Sequence, residues 1–133
     1  MAHLFEYALT TEREGFFDVT DKVKDAIAKS GVQDGICVIY CPHTTAGITI
    51  NENADEWVAK DVTLALNKVF PRFAEFRHDE GNSDGHVKSS VIGASETVII
   101  SGGKPILGVW QDVYFAEFDP PRNRKFYVKI IEG

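Results

Sequence analysis

Residues 96–131, ETVIISGGKPILGVWQDVYFAEFDPPRNRKFYVKII, contain four apolar runs: ETVIIS, KPILGVW, DVYFAEFD and KFYVKII. The turn sequence GGKP lies between the first two runs, and DPPRNR lies between the last two. In the last run Phe126, Val128 and Ile130 recur with period two, as expected for a strand with one buried face. Four successive strands joined by such turns predict a largely antiparallel sheet.

Four further runs in the first half of the chain also predict strands: HLFEYALTT at 3–11, FFDVT at 16–20, GICVIYC at 35–41 and GITINE at 47–52. The GICVIYC run is almost continuously apolar and rich in β-branched residues. This pattern predicts a central strand that is buried on both faces.

Two helices are predicted from apolar residues at helical spacing. The first follows Thr20, which has the chemistry of an N-cap residue. The second is ADEWVAKDVTLALNKVF, where Asn53 and Glu56 have the spacing of a capping box and Pro71 ends the helix.

A third, shorter helix is predicted in HVKSSVIG, with Asp84 as its N-cap and Gly93 at its end. Eight strands and three helices without regular βα alternation indicate an α+β fold of mostly antiparallel sheets with helices packed on them. Residues 1–133 are expected to form one domain. Because several strands are apolar on both faces, we expect a homo-oligomer.

Composition argues against two classes of partner. The chain has 133 residues, 14 basic and 20 acidic side chains and a net charge of −6, so its overall field repels nucleic acid and anionic membranes. No basic leader with an apolar segment and no run of about 20 apolar residues occurs, so we expect a cytoplasmic protein.

The loop HDEGNSDGHVK at 78–88 holds more chelating and proton-transferring side chains than a turn requires. His78, Glu80, Asp84 and His86 supply ligand atoms for a divalent ion, and His43 in PHTTAG adds a third imidazole. The spacing is not that of an established metal motif. A loop whose acids bind backbone N–H groups is the alternative.

The segment SDGHVKSS also suits an anion. If a helix begins near Asp84, the N–H groups of its first turn point outward toward a phosphate. Further donors for that phosphate come from Lys88, Ser89, Ser90, Arg122 and Arg124. The alternative is an ordinary capped helix with surface cations.

Acid–base chemistry is open to His43, His78, His86 and Glu117. Glu117 lies in the apolar run YFAEF, where a charge is either on a solvent face or a buried, tuned carboxylate. Cys37 and Cys41 do not have zinc-site spacing and are expected to pack in the core, although a Cys41 thiolate near His43 is an alternative nucleophile.

Three segments resemble the YjbQ-type family, whose members are described as secondary thiamine-phosphate synthases. They are HTTAGITINENAD at 43–55, HDEGNSDGHVKSSVIGASE at 78–96 and GGKPILGVWQDVYFAEFDPPRNRKFYVKI at 102–130. The resemblance implies a trimer-forming α+β fold. It also implies an enzyme that joins a pyrimidine methyl diphosphate to a thiazole phosphate and releases diphosphate.

The resemblance also implies roles for individual residues and a divalent metal, Mg or Zn. The expected catalytic residues are His43, His86 and Glu117, and the expected metal ligands are His78, His86, Glu80 and His43. The small phosphorylated substrate would contact Thr44, Asn82, Asp84, Lys88, Ser89, Gln111 and Arg122. Two other functions stay open: a metal-dependent hydrolase or lyase of another phosphorylated metabolite, and a non-enzymatic trimer that binds an anionic ligand.

Overall fold

Eight strands and three helices make up residues 3–133, the part of the chain that the computed structural model describes. The strands are β1 (Leu4–Thr11), β2 (Gly15–Asp18), β3 (Gly35–Tyr40), β4 (Ala46–Glu52), β5 (Ser95–Ser101), β6 (Lys104–Pro105), β7 (Gln111–Glu117) and β8 (Arg122–Glu132). The helices are α1 (Thr20–Ser30), α2 (Glu56–Val69) and α3 (Ser83–Ile92). The predicted α+β class is confirmed.

The strands form two sheets in which every paired strand is antiparallel. One sheet has the order β1-β8-β3-β5-β6, and the other has the order β2-β7-β4. The central position predicted for GICVIYC is confirmed, since β3 lies between β8 and β5. Burial on both faces is wrong for the single chain, because Ile36 and Tyr40 on the outer face are 37% and 47% exposed.

The main core lies where the inner face of the larger sheet packs against α1 and against the smaller sheet. Phe126, Val128 and Ile130 of β8 are buried there, as their alternation predicted. Cys37 and Cys41 are buried as well, and burial raises the pKa of each thiol to about 11. Both cysteines are therefore protonated at neutral pH, which favours packing over a nucleophilic role.

The first two helices begin differently from the sequence prediction. Thr20 is the first residue of α1 rather than its cap, and its hydroxyl accepts the N–H of Val113 on β7. At α2 the N-cap is Asp55, whose carboxylate accepts the Trp57 N–H. Asn53 instead donates to two carboxylates at the end of the smaller sheet. In both places a tertiary partner outcompetes the local capping bond.

The predicted strand KPILGVW is also mostly wrong, since only Lys104 and Pro105 pair as β6. After one further backbone bond from Ile106, the chain turns so that Gly108 N–H donates to the Gln111 side chain and Gln111 N–H donates to the Gly108 carbonyl. Because this local turn uses the N–H and carbonyl groups of Gly108 and the N–H of Gln111, these groups are not available to pair with a neighbouring strand. Val109 at its tip is 89% exposed.

Helix α3 lies against β4 at close range. The Ser89 hydroxyl donates to the Ala46 carbonyl at 2.6 Å, and Ile48 N–H donates to the Gly93 carbonyl at 3.1 Å. Between them a Cβ on Gly47 would lie 2.5 Å from the Gly93 oxygen, so no larger residue fits without a backbone shift. No helix within residues 3–133 is both long and apolar enough to cross a membrane.

A buried lysine fixes the other side of α3. Lys88 is 1% exposed, and its ammonium group contacts Glu14 at 3.0 Å, Asp84 at 3.8 Å and the Asn67 side chain. These partners lie in the β1–β2 loop, on α3 itself and on α2. The ammonium thus holds three segments together, and its own desolvation is compensated only while they stay in place.

We expect Lys88→Met to lower the free energy of unfolding by about 2–4 kcal/mol, because it leaves two carboxylates without their shared cation. Lys60→Met is the matched control, since the Lys60–Glu56 pair is exposed and should contribute less than about 1 kcal/mol. Urea unfolding at neutral pH measures both. Equal losses in the two variants would contradict the structural role of Lys88.

Candidate functional site

A polar pocket of about 350 Å³ opens where three segments of the chain meet at one end of the larger sheet. The segments are 42–45 between β3 and β4, 78–86 leading into α3, and 122–124 at the start of β8. The lining residues are Pro42, His43, Thr44, Thr45, His78, Glu80, Asn82, His86, Arg122 and Arg124. The three polar segments singled out in the sequence therefore contribute to one site.

His43 is held by the backbone of the neighbouring strand. Its Nε2 lies 3.0 Å from both the N–H and the carbonyl of Lys125, and its ring meets Phe115 edge-on. Burial, with the nearby Arg124 charge, lowers the pKa of His43. The imidazole is therefore neutral at pH 7. Since Nε2 is occupied by Lys125, Nδ1 is the nitrogen available to a ligand.

His78 and His86 form a pair in the lining of the same pocket. Their ring centroids are 5.2 Å apart and the rings are nearly perpendicular, at 84°. His86 is fixed by the first turn of α3, where its N–H donates to the Asn82 carbonyl. Within residues 3–133 no three His, Cys, Asp or Glu side chains are arranged to hold a metal ion on their own.

Arg122, Asp119 and Asn82 are hydrogen-bonded in series. Arg122 donates through Nη2 to the Asp119 carboxylate at 2.8 Å and through Nε to the Asp119 carbonyl at 3.1 Å. Asn82 Nδ2 donates to the same carboxylate at 2.8 Å. Burial opposes ionisation of Asp119, but these bonds outweigh it and lower its pKa. Asn82 Oδ1 is buried and has no hydrogen-bond donor within residues 3–133.

Glu117 is fully buried and supports the pocket from behind. Arg124 donates to it through Nε at 2.7 Å and through Nη2 at 2.6 Å. The Thr11 hydroxyl and the Asp119 N–H add bonds at 2.5 and 2.8 Å. The solvent-facing interpretation of Glu117 is thus wrong. Glu117 does not line the pocket, so it reaches a ligand only through Arg124, which also donates to Thr45.

Four of the predicted substrate-binding residues do not line this pocket: Asp84, Lys88, Ser89 and Gln111. Asp84 pairs with Arg72 and Lys88, and Gln111 lines a separate cavity with two lysines. Asp84 is also not an N-cap, because α3 begins at Ser83 and the cap position is Asn82.

The anion site predicted at the start of α3 is not supported by the geometry of this chain. Gly85 and His86 donate their N–H groups to the Asn82 carbonyl, so these groups are not free for a phosphate. The positively charged side chains that line the pocket are Arg122, which was predicted to contact the substrate, and Arg124, which was predicted only as an additional donor. Asp119 and Thr45 were missed as individual residues, although each lies within a segment singled out in the sequence, DPPRNR and PHTTAG.

Glu117 gives the protein a pH-dependent stability that can be isolated by substitution. Burial opposes the carboxylate, but bonds from Arg124, Thr11 and the Asp119 N–H outweigh it and lower the pKa of Glu117. A depressed folded-state pKa stabilises the fold above the unfolded value of about 4.3, and this stability is lost as pH falls through the folded pKa.

We therefore expect Glu117→Gln to be less stable than wild type at pH 7, with a gap that is constant above about pH 5 and narrows below about pH 4. Urea unfolding across this range measures the gap. A gap that widens toward acid pH would show that Glu117 titrates above its ordinary value.

Comparison with known proteins identifies the chain's relatives. The family described as "UPF0047 protein YjbQ-like" matches residues 5–133. A UPF0047 protein of Methanocaldococcus jannaschii is 57% identical over 96% of this chain and 94% of its own length, and YugU of Bacillus subtilis is 50% identical over 92% and 93%.

Comparison with solved structures identifies the same relatives. A YjbQ/UPF0047 protein of Clostridium acetobutylicum superposes with a TM-score of 0.93 at 54% identity, covering 96% of this chain and 99% of its own. A YbjQ-like protein of Sulfolobus solfataricus, described as of unknown function, superposes with a TM-score of 0.94 at 27% identity. The match covers 100% of this chain and 99% of that protein's chain. With this fold, these segments and these relatives, the chain belongs to the YjbQ-like UPF0047 family.

Proposed function

We propose that the pocket binds the phosphate groups of a small metabolite, and that the protein is a transferase with thiamine-phosphate synthase-like activity. The observation that carries the proposal is the convergence of two guanidinium groups and three imidazoles in one pocket. Guanidinium groups match phosphate oxygens in geometry, and imidazoles exchange protons near neutral pH.

The hydrogen bonds of Arg122 and Arg124 support a binding role. Each arginine uses Nε and Nη2 on the protein, the first with Asp119 and the second with Glu117 and Thr45. Each Nη1 makes no hydrogen bond within residues 3–133. Arg122 is half exposed at the rim, whereas Arg124 is nearly buried in the wall. Both side chains are thus oriented in advance, which reduces the entropy lost on binding.

The proposed reaction displaces diphosphate from a pyrimidine methyl carbon. The carbon–oxygen bond breaks, the thiazole nitrogen forms the new bond to that carbon, and diphosphate leaves with the electron pair. Arg122 and Arg124 would stabilise the charge that develops on the leaving oxygen. The histidines would orient the diphosphate or supply a proton to it.

We expect Arg124→Gln to lower thiamine-phosphate formation about 100-fold or more, because one leaving-group donor is lost. His86→Ala should cost about 10²–10⁴-fold if its imidazole transfers a proton. Formation from the two phosphorylated precursors is followed by mass spectrometry, with Lys60→Gln as an exposed control. Full activity in either pocket variant would remove that residue from the mechanism.

A metal-dependent hydrolase or lyase acting on another phosphorylated metabolite is the second candidate. The His78–His86 pair favours it, because two adjacent imidazoles could bind an ion that activates water. The same assay separates the two candidates when phosphorylated metabolites are incubated singly, since a hydrolase or lyase releases phosphate from a single metabolite, whereas the transferase needs a second substrate. Ligand binding without turnover in any mixture would favour a non-enzymatic binding protein.

We further propose that the protein acts in the cytoplasm as a homotrimer. Reduced, buried Cys37 and Cys41 suit a reducing compartment. The accessible surface is 7710 Å², against about 7,000 Å² expected for a compact monomer of this mass. Part of the excess is the outer face of the larger sheet, where Ile36 lies beside Ile99 and Ile131, all three exposed.

We expect the wild-type protein to sediment at three times its 14.8 kDa chain mass, and Ile99→Glu to shift it toward monomer. A charge on this face would be desolvated without a partner in the trimer. Leu64→Glu is the control, since Leu64 is equally exposed but lies on α2. A monomeric wild-type protein at micromolar concentration would contradict the proposal.

A further inference from the structure

The guanidinium charges around the pocket are already balanced. Arg122 is bonded to Asp119 and Arg124 to Glu117, while Glu80 adds a carboxylate to the lining. These two arginines and three carboxylates carry a formal charge of 2 − 3 = −1. A phosphate group entering such a pocket needs a further positive charge, because like charges at short range in a partly desolvated site repel strongly.

Asn82 is an independent sign of a missing positive or donor group. It is 8% exposed, and its Nδ2 is fixed by the Asp119 carboxylate; a flipped amide would oppose oxygen to oxygen. Its Oδ1 is left without a donor within residues 3–133. A buried acceptor without a donor is costly, so the wall that contains Asn82 and Glu80 favours a cation or a donor-bearing group over a bare anion.

The His78–His86 pair offers two imidazole ligands for a cation that would supply that charge. Their ring centroids are 5.2 Å apart and both residues line the pocket. Within residues 3–133 no third His, Cys, Asp or Glu side chain completes a site. Two protein ligands leave open positions, which phosphate oxygens commonly fill when the site is built for a phosphorylated ligand.

We propose that the pocket takes its phosphate as a complex with a divalent cation of the imidazole-binding class, held by His78 and His86 and bridged to the phosphate oxygens. Glu80 offsets part of the cation's charge. This inference rests on the proposed phosphate site and names the source of its positive charge. It requires that the cation and phosphate bind cooperatively, each tightening the other by the same factor.

The test uses the full-length protein stripped of metal with a chelator. Inorganic phosphate is titrated calorimetrically into the protein with chelator present and with one equivalent of Co²⁺, whose visible spectrum also reports nitrogen ligation. We expect Co²⁺ to tighten phosphate binding about 10-fold or more, within the usual range of coupling between two ligands. His86→Ala should remove the gain and the spectral change. His3→Ala should keep both, because His3 lies outside the pocket, just before β1.

Phosphate binding of equal strength with and without Co²⁺ would overturn the cation inference and leave the phosphate pocket standing. Co²⁺ that binds at His78 and His86 but does not change phosphate affinity would overturn it as well. No phosphate binding under either condition would overturn the proposed function together with the inference. Zn²⁺ replacing Co²⁺, with Mg²⁺ as comparison, then identifies the class of ion, and a gain only with Mg²⁺ would exclude the imidazole ligands.

Discussion

The ion pair between Glu117 and Arg124 connects the two sheets and supports the pocket. Glu117 ends β7 of the smaller sheet, and Arg124 lies near the start of β8, which pairs with β1 and β3 in the larger one. Thr11 reaches the same carboxylate from β1. A buried pair of this kind is worth little in net stability when compared with an apolar replacement, yet removing one partner is expensive. Its effect is therefore on geometry: the two sheets meet in the arrangement that satisfies every donor around Glu117.

The pocket depends on this arrangement more than on its own loops. Residues 78–80 lie in an exposed loop, whereas Asn82, Thr45 and Arg124 are buried behind them. A ligand would thus meet a rigid inner wall and an adaptable outer one. Such a division suits a site that orients a phosphate group through fixed donors and tolerates variation in the rest of the ligand.

The sequence predicted the presence of helices and strands better than the residues at which they end. It also predicted the segments that form the pocket better than the contacts of individual residues. Strand alternation in β8 and the apolar stripe of α1 were visible because they depend on local periodicity. The caps at Thr20 and Asn53 were wrong because partners distant in sequence, Val113 and the carboxylates near it, took those side chains. The convergence of 42–45, 78–86 and 122–124 followed from the strand topology, which local patterns do not encode.

Lys88 shows the same limit in the site itself. In sequence it belongs to a run of polar residues that suits a phosphate, but in the fold it points to the opposite side of α3 from His86 and neutralises Glu14 instead. A short helix separates neighbouring residues by about 100° each, so residues two apart on it face nearly opposite directions. The packing of α3 on β4 decides whether Lys88 or His86 faces the pocket, and the sequence alone does not show this packing.

Arg124 is the first buried member of the row that continues as Phe126, Val128 and Ile130 on the inner face of β8. The pleat that buries those three apolar side chains is therefore what turns the guanidinium inward. A single deletion between Arg124 and Phe126 would invert this parity, sending the guanidinium to the outer face unless the whole hydrophobic row moved out with it. The arginine at the pocket and the apolar side chains of the core therefore depend on the same register of β8. A change of register moves both together.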